Sequence, residues 1–147
     1  MKRYEINKDT CVIKYKDGKT KVVENSVSFD IDALPLDIIK YNCEYFGSSF
    51  DGRIKGSQNL LGSRYKLPIV VEENMGLVFI PTTSLKNESC SWVNVSNVKK
   101  YRKQGKSVLI EFMGGYKTKL PISYFSFENQ LFRAFQLRTI LNRRKKC

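Results

Sequence analysis

The segment GSSFDGRIKG at residues 47–56 has residue types suited to binding a narrow surface. Its glycines and serines let the backbone come close, and Arg53 stands between two of the glycines. Such an arginine can enter a compressed minor groove, where A·T-rich DNA concentrates negative potential. The residues predicted to contact DNA here are Ser48, Ser49, Arg53 and Lys55, with Arg53 on the bases. The alternatives are a mobile surface loop, and a phosphate-cradling loop that lacks the Lys-Ser/Thr ending of a P-loop.

A basic strand forms the second candidate site. Residues 98–106 contain five bases around Tyr101. Such a patch contacts phosphates, which sets position and salt dependence without distinguishing sequence. The residues predicted to do so are Lys99, Lys100, Arg102 and Lys103. The alternative is a charged edge strand, since lysines protect exposed sheet edges from pairing with other chains.

The C-terminal segment carries the third basic group, and no acid follows Glu128 in it. Bases at the end of a helix complement its dipole, but the run at residues 143–146 exceeds that need. The DNA-binding residues predicted here are Arg133, Arg138, Arg143 and Arg144, with Lys145 and Lys146 continuing the run. Arg138 lies on the apolar side of the predicted helix, so its alternatives are a pairing with a buried acid or a stem that reaches outward. Trp92 and the phenylalanines of this helix are predicted to be core.

The sequence offers little to an active site. It contains no histidine, the commonest general base and metal ligand, and its four cysteines show no Cys-x-x-Cys spacing. Its carboxylates form no pair at catalytic spacing. We expect a protein that is not an enzyme, with reduced cysteines, no metal site and no small-molecule cofactor.

The positive charge is concentrated in one part of the chain. The net charge is +12, and residues 89–147 hold thirteen bases against two acids, whereas residues 1–50 hold eight of each. A one-sided excess produces a directed field that attracts polyanions. Double-stranded DNA is the predicted partner, and a solvated lysine-rich face or an acidic membrane surface is the alternative. We expect a cytoplasmic protein, because no apolar run approaches the ~20 residues of a spanning helix and none follows the N-terminus as in a secretory signal.

The polarity pattern predicts an α+β fold in a single domain over residues 1–147, with a basic tail at 142–147. Alternation on both sides of Asp17-Gly18 predicts a β-hairpin over 11–24. Apolar spacings of three and four after Pro35 predict a helix over 35–46. Residues 47–66 are predicted to be a structured loop that can include one helical turn.

The second half is predicted to be mostly antiparallel strands followed by one long helix. Hairpins are predicted at 67–71 with 77–80 and at 107–113 with 116–122, and single strands at 91–95 and 97–102. Ser123 or Ser126 can cap a helix that reaches about Arg144. The apolar side of that helix is predicted to hold Phe127, Leu131, Ala134, Phe135 and Leu141.

Several segments together resemble one family, the bacterial competence transcription factors known as ComK. The matching segments are CEYFGSSFDGRIKG at 43–56, KLPIV at 66–70, FIPTTS at 79–84, CSWV at 90–93 and LPISYFSFENQ at 120–130, with Arg133 and LRT at 137–139 after them. The similarity covers about residues 4–142. The order and spacing of the segments are more specific than any one of them.

The resemblance implies an activator of DNA-uptake genes that binds paired A·T-rich boxes mainly through the minor groove. It implies a homodimer or a pair of dimers on DNA, and no small-molecule cofactor. The positions that match the family's glycine-serine-arginine segment are Gly47, Ser48, Ser49, Gly52, Arg53 and Gly56. Residues 120–130 match its C-terminal signature.

The resemblance also shows a difference at the C-terminus. Longer family members continue beyond the signature helix with a tail used for proteolytic control through an adaptor, whereas this sequence ends at Cys147. A short form without this tail is expected. For such a form it is open whether the adaptor directs its degradation and whether it is a full activator. The alternatives are a short paralogue that modulates a full-length regulator by mixed dimerisation, and an RNA-binding module that exposes Tyr101 and Tyr116 for stacking.

Overall fold

The computed structural model describes residues 3–25 and 27–145. Nine strands and three helices follow one another in these residues. They are β1 (Thr10–Lys16), β2 (Lys19–Glu24), β3 (Val27–Ile31), α1 (Pro35–Tyr45), α2 (Phe50–Leu61), β4 (Ile69–Glu72), β5 (Leu77–Pro81), β6 (Trp92–Asn94), β7 (Val98–Gln104), β8 (Ser107–Phe112), β9 (Lys117–Leu120) and α3 (Tyr124–Lys145). The α+β class, the hairpins, the helix after the first hairpin and the long C-terminal helix are confirmed.

Two antiparallel sheets make up the β structure. The larger has the strand order β3-β2-β1-β6-β5-β4, and the smaller has the order β7-β8-β9. Adjacent residues of the large sheet alternate between two cores, because successive side chains of a strand point to opposite faces. In β1, for example, Ile13 packs in the core beside α1, whereas Val12 packs in the core that includes β8 and α3. The large sheet therefore lies between α1 and a second layer made of the small sheet and α3.

The prediction of a loop over residues 47–66 is wrong, because twelve of these residues form α2. Ser49 is the extended N-cap residue, and its hydroxyl accepts a hydrogen bond from the Gly52 amide at 3.0 Å. Gly62 ends the helix in the left-handed conformation, with φ 67°. Two glycines within the segment lower its intrinsic helix propensity. Tertiary contact compensates, since Ser57 is buried and donates to the Pro68 carbonyl at 2.7 Å.

Helix α3 begins after Ser123, whose hydroxyl accepts from the Ser126 amide at 3.1 Å. Its buried face carries Phe127, Leu131, Ala134 and Leu137. The prediction that Phe135 belongs to this face is wrong, because that side chain is 45% exposed. The buried side of the helix runs through Ala134 and Leu137, and Phe135 lies outside it. The helix continues through residues 142–145, and Lys146 lies outside the described residues.

Trp92 is fully buried, as predicted for a core residue. It lies on β6 in the centre of the large sheet, opposite Ile13 of β1 and Pro81 of β5. In the part of the chain that the structure describes, no helix is both long enough and apolar enough to cross a membrane.

Candidate nucleic-acid interface

The small sheet has one buried and one exposed face. Val108, Ile110 and Phe112 of β8 point into the core. On the other side, cross-strand pairing places Lys100 opposite Glu111 and Arg102 opposite Leu109. The same register places Lys117 and Lys119 of β9 beside Glu111 and Leu109. We call this surface the outer face; it consists of Lys100, Arg102, Leu109, Glu111, Lys117 and Lys119.

Glu111 is the single acid of the outer face, and three lysines surround it. Its carboxylate oxygens lie 3.7 Å from Lys99 Nζ, 3.6 Å from Lys100 Nζ and 3.8 Å from Lys117 Nζ. Only 16% of the Glu111 side chain is exposed, against 56–71% of the lysine side chains. Ion pairs with such exposed lysines are weak. The lysines can therefore turn toward an external phosphate, and the face keeps an excess of positive charge.

The four basic residues predicted on β7 do not share one face. The register of the β7–β8 ladder shifts between Val98 and Lys100, where Lys99 lies. Lys99 is also close enough to Glu111 to form an ion pair with it. Lys103 pairs with the inward-pointing Val108, so it belongs to the opposite side of the strand, where it remains exposed. β7 is an edge strand, as the alternative interpretation predicted. Lysines at an edge can protect it and contact phosphates at the same time.

Arg53 is engaged in the structure rather than isolated. Its Nη1 donates to Glu73 Oε1 at 2.9 Å, and 24% of its side chain is exposed. Its Nε is buried and has no hydrogen-bond partner among the described residues. Glu73, in the turn between β4 and β5, also pairs with Lys145 near the end of α3. One carboxylate thus connects α2, the β4–β5 turn and the C-terminal helix. Contact of Arg53 with DNA stays a prediction.

The neighbours of Arg53 have different surroundings. The Ser49 hydroxyl is used to cap α2, and the Ser48 amide donates to the Cys43 carbonyl at 2.8 Å. Lys55 is exposed on α2. Of the predicted residues in this segment, Lys55 is the one whose charged group is open to a polyanion without a change in α2.

The arginines of α3 fall into two groups. Arg133 donates to the Gln130 side-chain oxygen at 2.9 Å and to the Lys66 carbonyl at 3.4 Å, and burial lowers its pKa. Arg138 is half-buried beside the β4–β5 turn, where a Cβ added to Gly76 would lie 3.4 Å from its Nη2. Arg143 and Arg144 are exposed at the end of the helix. Arg138, Arg53 and Lys145 thus meet around the β4–β5 turn, whereas Arg143 and Arg144 lie on the surface.

The tyrosines beside the basic strands pack inward. Tyr101 donates to Glu128 Oε2 at 2.9 Å and packs edge-on against Phe127 at 5.2 Å between ring centroids. Burial and the Glu128 carboxylate raise the pKa of Tyr101 to about 12. Tyr116 stacks on Phe112 at 6.0 Å. Both rings are partly buried against the core, which reduces the ring surface left for base stacking.

Sequence reasoning misses Lys117, Lys119 and Glu73. The alternation of KTKL at 117–120 is a signal that identifies the two lysines as outward-pointing. Nothing local marks Glu73, because its partners come from distant parts of the chain. Within residues 3–25 and 27–145, no group of three or more His, Cys, Asp and Glu residues could hold a metal ion.

Comparisons with known proteins give a family match. A family model described as ComK protein matches residues 1–146. The chain is 33% identical over 144 residues to a protein of Bacillus subtilis (strain 168) described as competence transcription factor, an alignment that covers 95% of this chain and 75% of the relative. No solved structure matches the chain significantly.

Proposed function

This chain belongs to the ComK family of competence transcription regulators, and we propose that it acts in the bacterial cytoplasm by binding A·T-rich duplex DNA, largely through the minor groove. In this proposal it activates DNA-uptake genes, performs no catalysis and uses no small-molecule cofactor. The outer face is the observation that carries the proposal. It brings Lys100, Arg102, Lys117 and Lys119 onto one surface with a single, lysine-bound acid.

The outer face suits phosphates more than bases. Lysine and arginine contacts to phosphates supply affinity and position without distinguishing sequence. The exposed pair Arg143 and Arg144 can add to this set from the end of α3. The inward packing of Tyr101 and Tyr116 does not favour the RNA-binding alternative, which needs exposed rings for stacking.

We assign base contact to Arg53. In the structure Arg53 pairs with Glu73, so entry into a minor groove requires it to exchange that carboxylate for DNA. Glu73 keeps Lys145 as a second partner, which makes the exchange less costly than leaving a carboxylate without any charge partner. A·T-rich minor grooves, with their concentrated negative potential, are the environment most able to compete for the guanidinium.

The proposed DNA-bound form is a homodimer or a pair of dimers, because paired boxes present the same site twice. Support comes from α3, whose outward side exposes Phe125 by 78%, Phe132 by 61% and Phe135 by 45%. Aromatic side chains are enriched at protein–protein interfaces. Because the proposed DNA sites are paired, a second copy of this chain is the partner that we expect on these phenylalanines.

An unbiased selection of duplexes from a random pool tests the proposal. We expect enrichment of paired A·T-rich boxes. In binding titrations on a selected box, K117Q/K119Q should flatten the dependence of log K on log salt by about 0.9 for each phosphate that the variant no longer neutralises. The control K8Q/K40Q removes the same charge elsewhere and should leave the slope unchanged. Preference for single-stranded RNA in competition, or no duplex binding at all, would overturn the proposal.

A further inference from the structure

The first hairpin concentrates lysines on one side. Cross-strand pairing places Lys14 opposite Lys21 and Lys16 opposite Lys19. Because side chains alternate along a strand, these four lysines lie on the same face of the sheet as Val12 and Val23, which are paired with each other and buried in the core. The lysines follow them toward the turn of the hairpin. We call them the hairpin lysine patch. Residues 1–50 have equal numbers of acids and bases, so the net charge of this region hides the patch.

The arrangement has no explanation in the stability of the isolated fold. Like charges directly opposite each other on paired strands are destabilising, and the patch contains two such pairs. β1 and β2 are interior strands of the six-stranded sheet, but β6 pairs with β1 only at Val12 and Ile13, so Lys14 and Lys16 lie on a part of β1 that continues beyond that ladder. The charge is only partly compensated: Lys21 Nζ lies 3.9 Å from Asp30 Oδ1, and both side chains are more than half exposed.

The patch borders the outer face. Lys14 Nζ donates to Thr118 Oγ1 on β9 at 2.9 Å. Thr118 stands between Lys117 and Lys119, whose side chains lie on the outer face. Basic groups therefore occur on both sides of the β9 edge, in segments separated by about a hundred positions in the chain.

We propose that the hairpin lysine patch is a second phosphate-binding surface, which holds duplex DNA where it extends beyond the outer face. Four lysines on one face suit a polyanion better than a single small anion, because duplex DNA offers many phosphates, with one negative charge per ~1.7 Å of helix axis. Phosphates would also relieve the repulsion between the paired lysines. This inference rests on the proposed binding of duplex DNA.

The test uses Lys16 and Lys19, which are exposed beside the Asp17-Gly18 turn and are not part of any proposed base contact. With the full chain and a selected box carrying long flanking duplex, K16Q/K19Q should weaken binding roughly tenfold at low salt and lower the salt slope by about 0.9 for each phosphate released from the patch. The ratio of specific to non-specific affinity should stay the same, because phosphate contacts do not distinguish sequence.

The melting temperature of K16Q/K19Q should be no lower than that of the wild type, since a like-charge pair is removed. K8Q/K40Q should bind DNA like the wild type. If wild-type protein binds DNA and K16Q/K19Q keeps the same affinity and slope, the patch assignment is overturned while the proposed function stands. If the wild type itself does not bind duplex DNA, both the patch assignment and the proposed function fail. Loss of binding to phosphatidylglycerol vesicles, with DNA binding intact, would also overturn the assignment.

Discussion

At the scale of single residues, Glu73 determines what Arg53 can do. A guanidinium between glycines suggests a freely presented side chain, yet its Nη1 lies 2.9 Å from Glu73 Oε1. The pair is three-quarters buried, so it holds the arginine more firmly than a surface ion pair would. Any contact between Arg53 and bases is therefore a competition between a carboxylate of the same protein and the DNA.

Two substitutions separate these roles. R53A should reduce the preference for A·T boxes by about 1–3 kcal/mol if Arg53 makes a specific contact. E73Q should keep that preference or strengthen it, because it releases Arg53, while lowering the free energy of unfolding by about 1–3 kcal/mol through loss of a charged hydrogen bond. Gel-shift titrations and urea denaturation measure the two effects.

The matched control is R64A, which removes an exposed arginine shortly after α2. It should change neither the ratio of specific to non-specific binding nor stability. An R53A variant that binds both kinds of DNA with the wild-type ratio would show that Arg53 serves only as the partner of Glu73.

At the scale of elements, helix α2 positions Arg53, and its two ends follow from local sequence signals. The helix starts at a serine cap and stops at a left-handed glycine, and both signals are local. Between them, Phe50 and Ile54 pack against the core beside α1, and Leu60 and Leu61 pack against the other core. The hydrogen bond from Ser57 to the Pro68 carbonyl adds to this packing. Because Ser49 Oγ is committed to the Gly52 amide, a structural role competes with the predicted contact of Ser49 with DNA.

The cap can be tested directly. S49A should lower the free energy of unfolding by about 1 kcal/mol, whereas S49D should retain it, because aspartate is an equally good N-cap residue. S63A provides the control, since its hydroxyl accepts only a long 3.4 Å contact from the Tyr65 amide. Equal unfolding midpoints for S49A and wild type in urea would contradict the capping role.

At the scale of the whole molecule, the two layers on either side of the large sheet leave different surfaces. The layer made by the small sheet and α3 presents the outer face, and the exposed phenylalanines of α3 form its main apolar surface. An apolar stripe beside basic surfaces fits a molecule that joins a copy of itself while bound to a polyanion.

Dimerisation through α3 predicts a specific defect. F132S should raise the dimer dissociation constant roughly tenfold or more, as for an aromatic interface residue, without lowering stability, because the side chain is already 61% exposed. M113S removes a side chain of similar exposure, 62%, from a different surface and should leave association unchanged. Sedimentation equilibrium over a range of concentrations measures both; a wild-type chain that stays monomeric throughout, on and off DNA, would contradict the proposed assembly.

The sequence by itself determined the elements whose signals are local. The hairpin at Asp17-Gly18 follows from a turn pair that adopts φ values of 53° and 76°, and α1 follows from Pro35 and its apolar spacing. The prediction of a polyanionic partner also comes from the sequence, because residues 89–147 hold thirteen bases against two acids. The family resemblance, carried by segments over nearly the whole chain, predicts duplex DNA as that partner.

Only the tertiary structure decided which charges act together. The residues of the outer face come from three strands. The hairpin lysine patch forms because the register of β1 and β2 places Lys14 opposite Lys21 and Lys16 opposite Lys19. α2 and the Arg53–Glu73–Lys145 group likewise depend on segments brought together from across the chain. The periodicity of a segment indicates which of its sides is apolar. The segment that covers this side comes from a distant part of the chain, so the periodicity does not identify it.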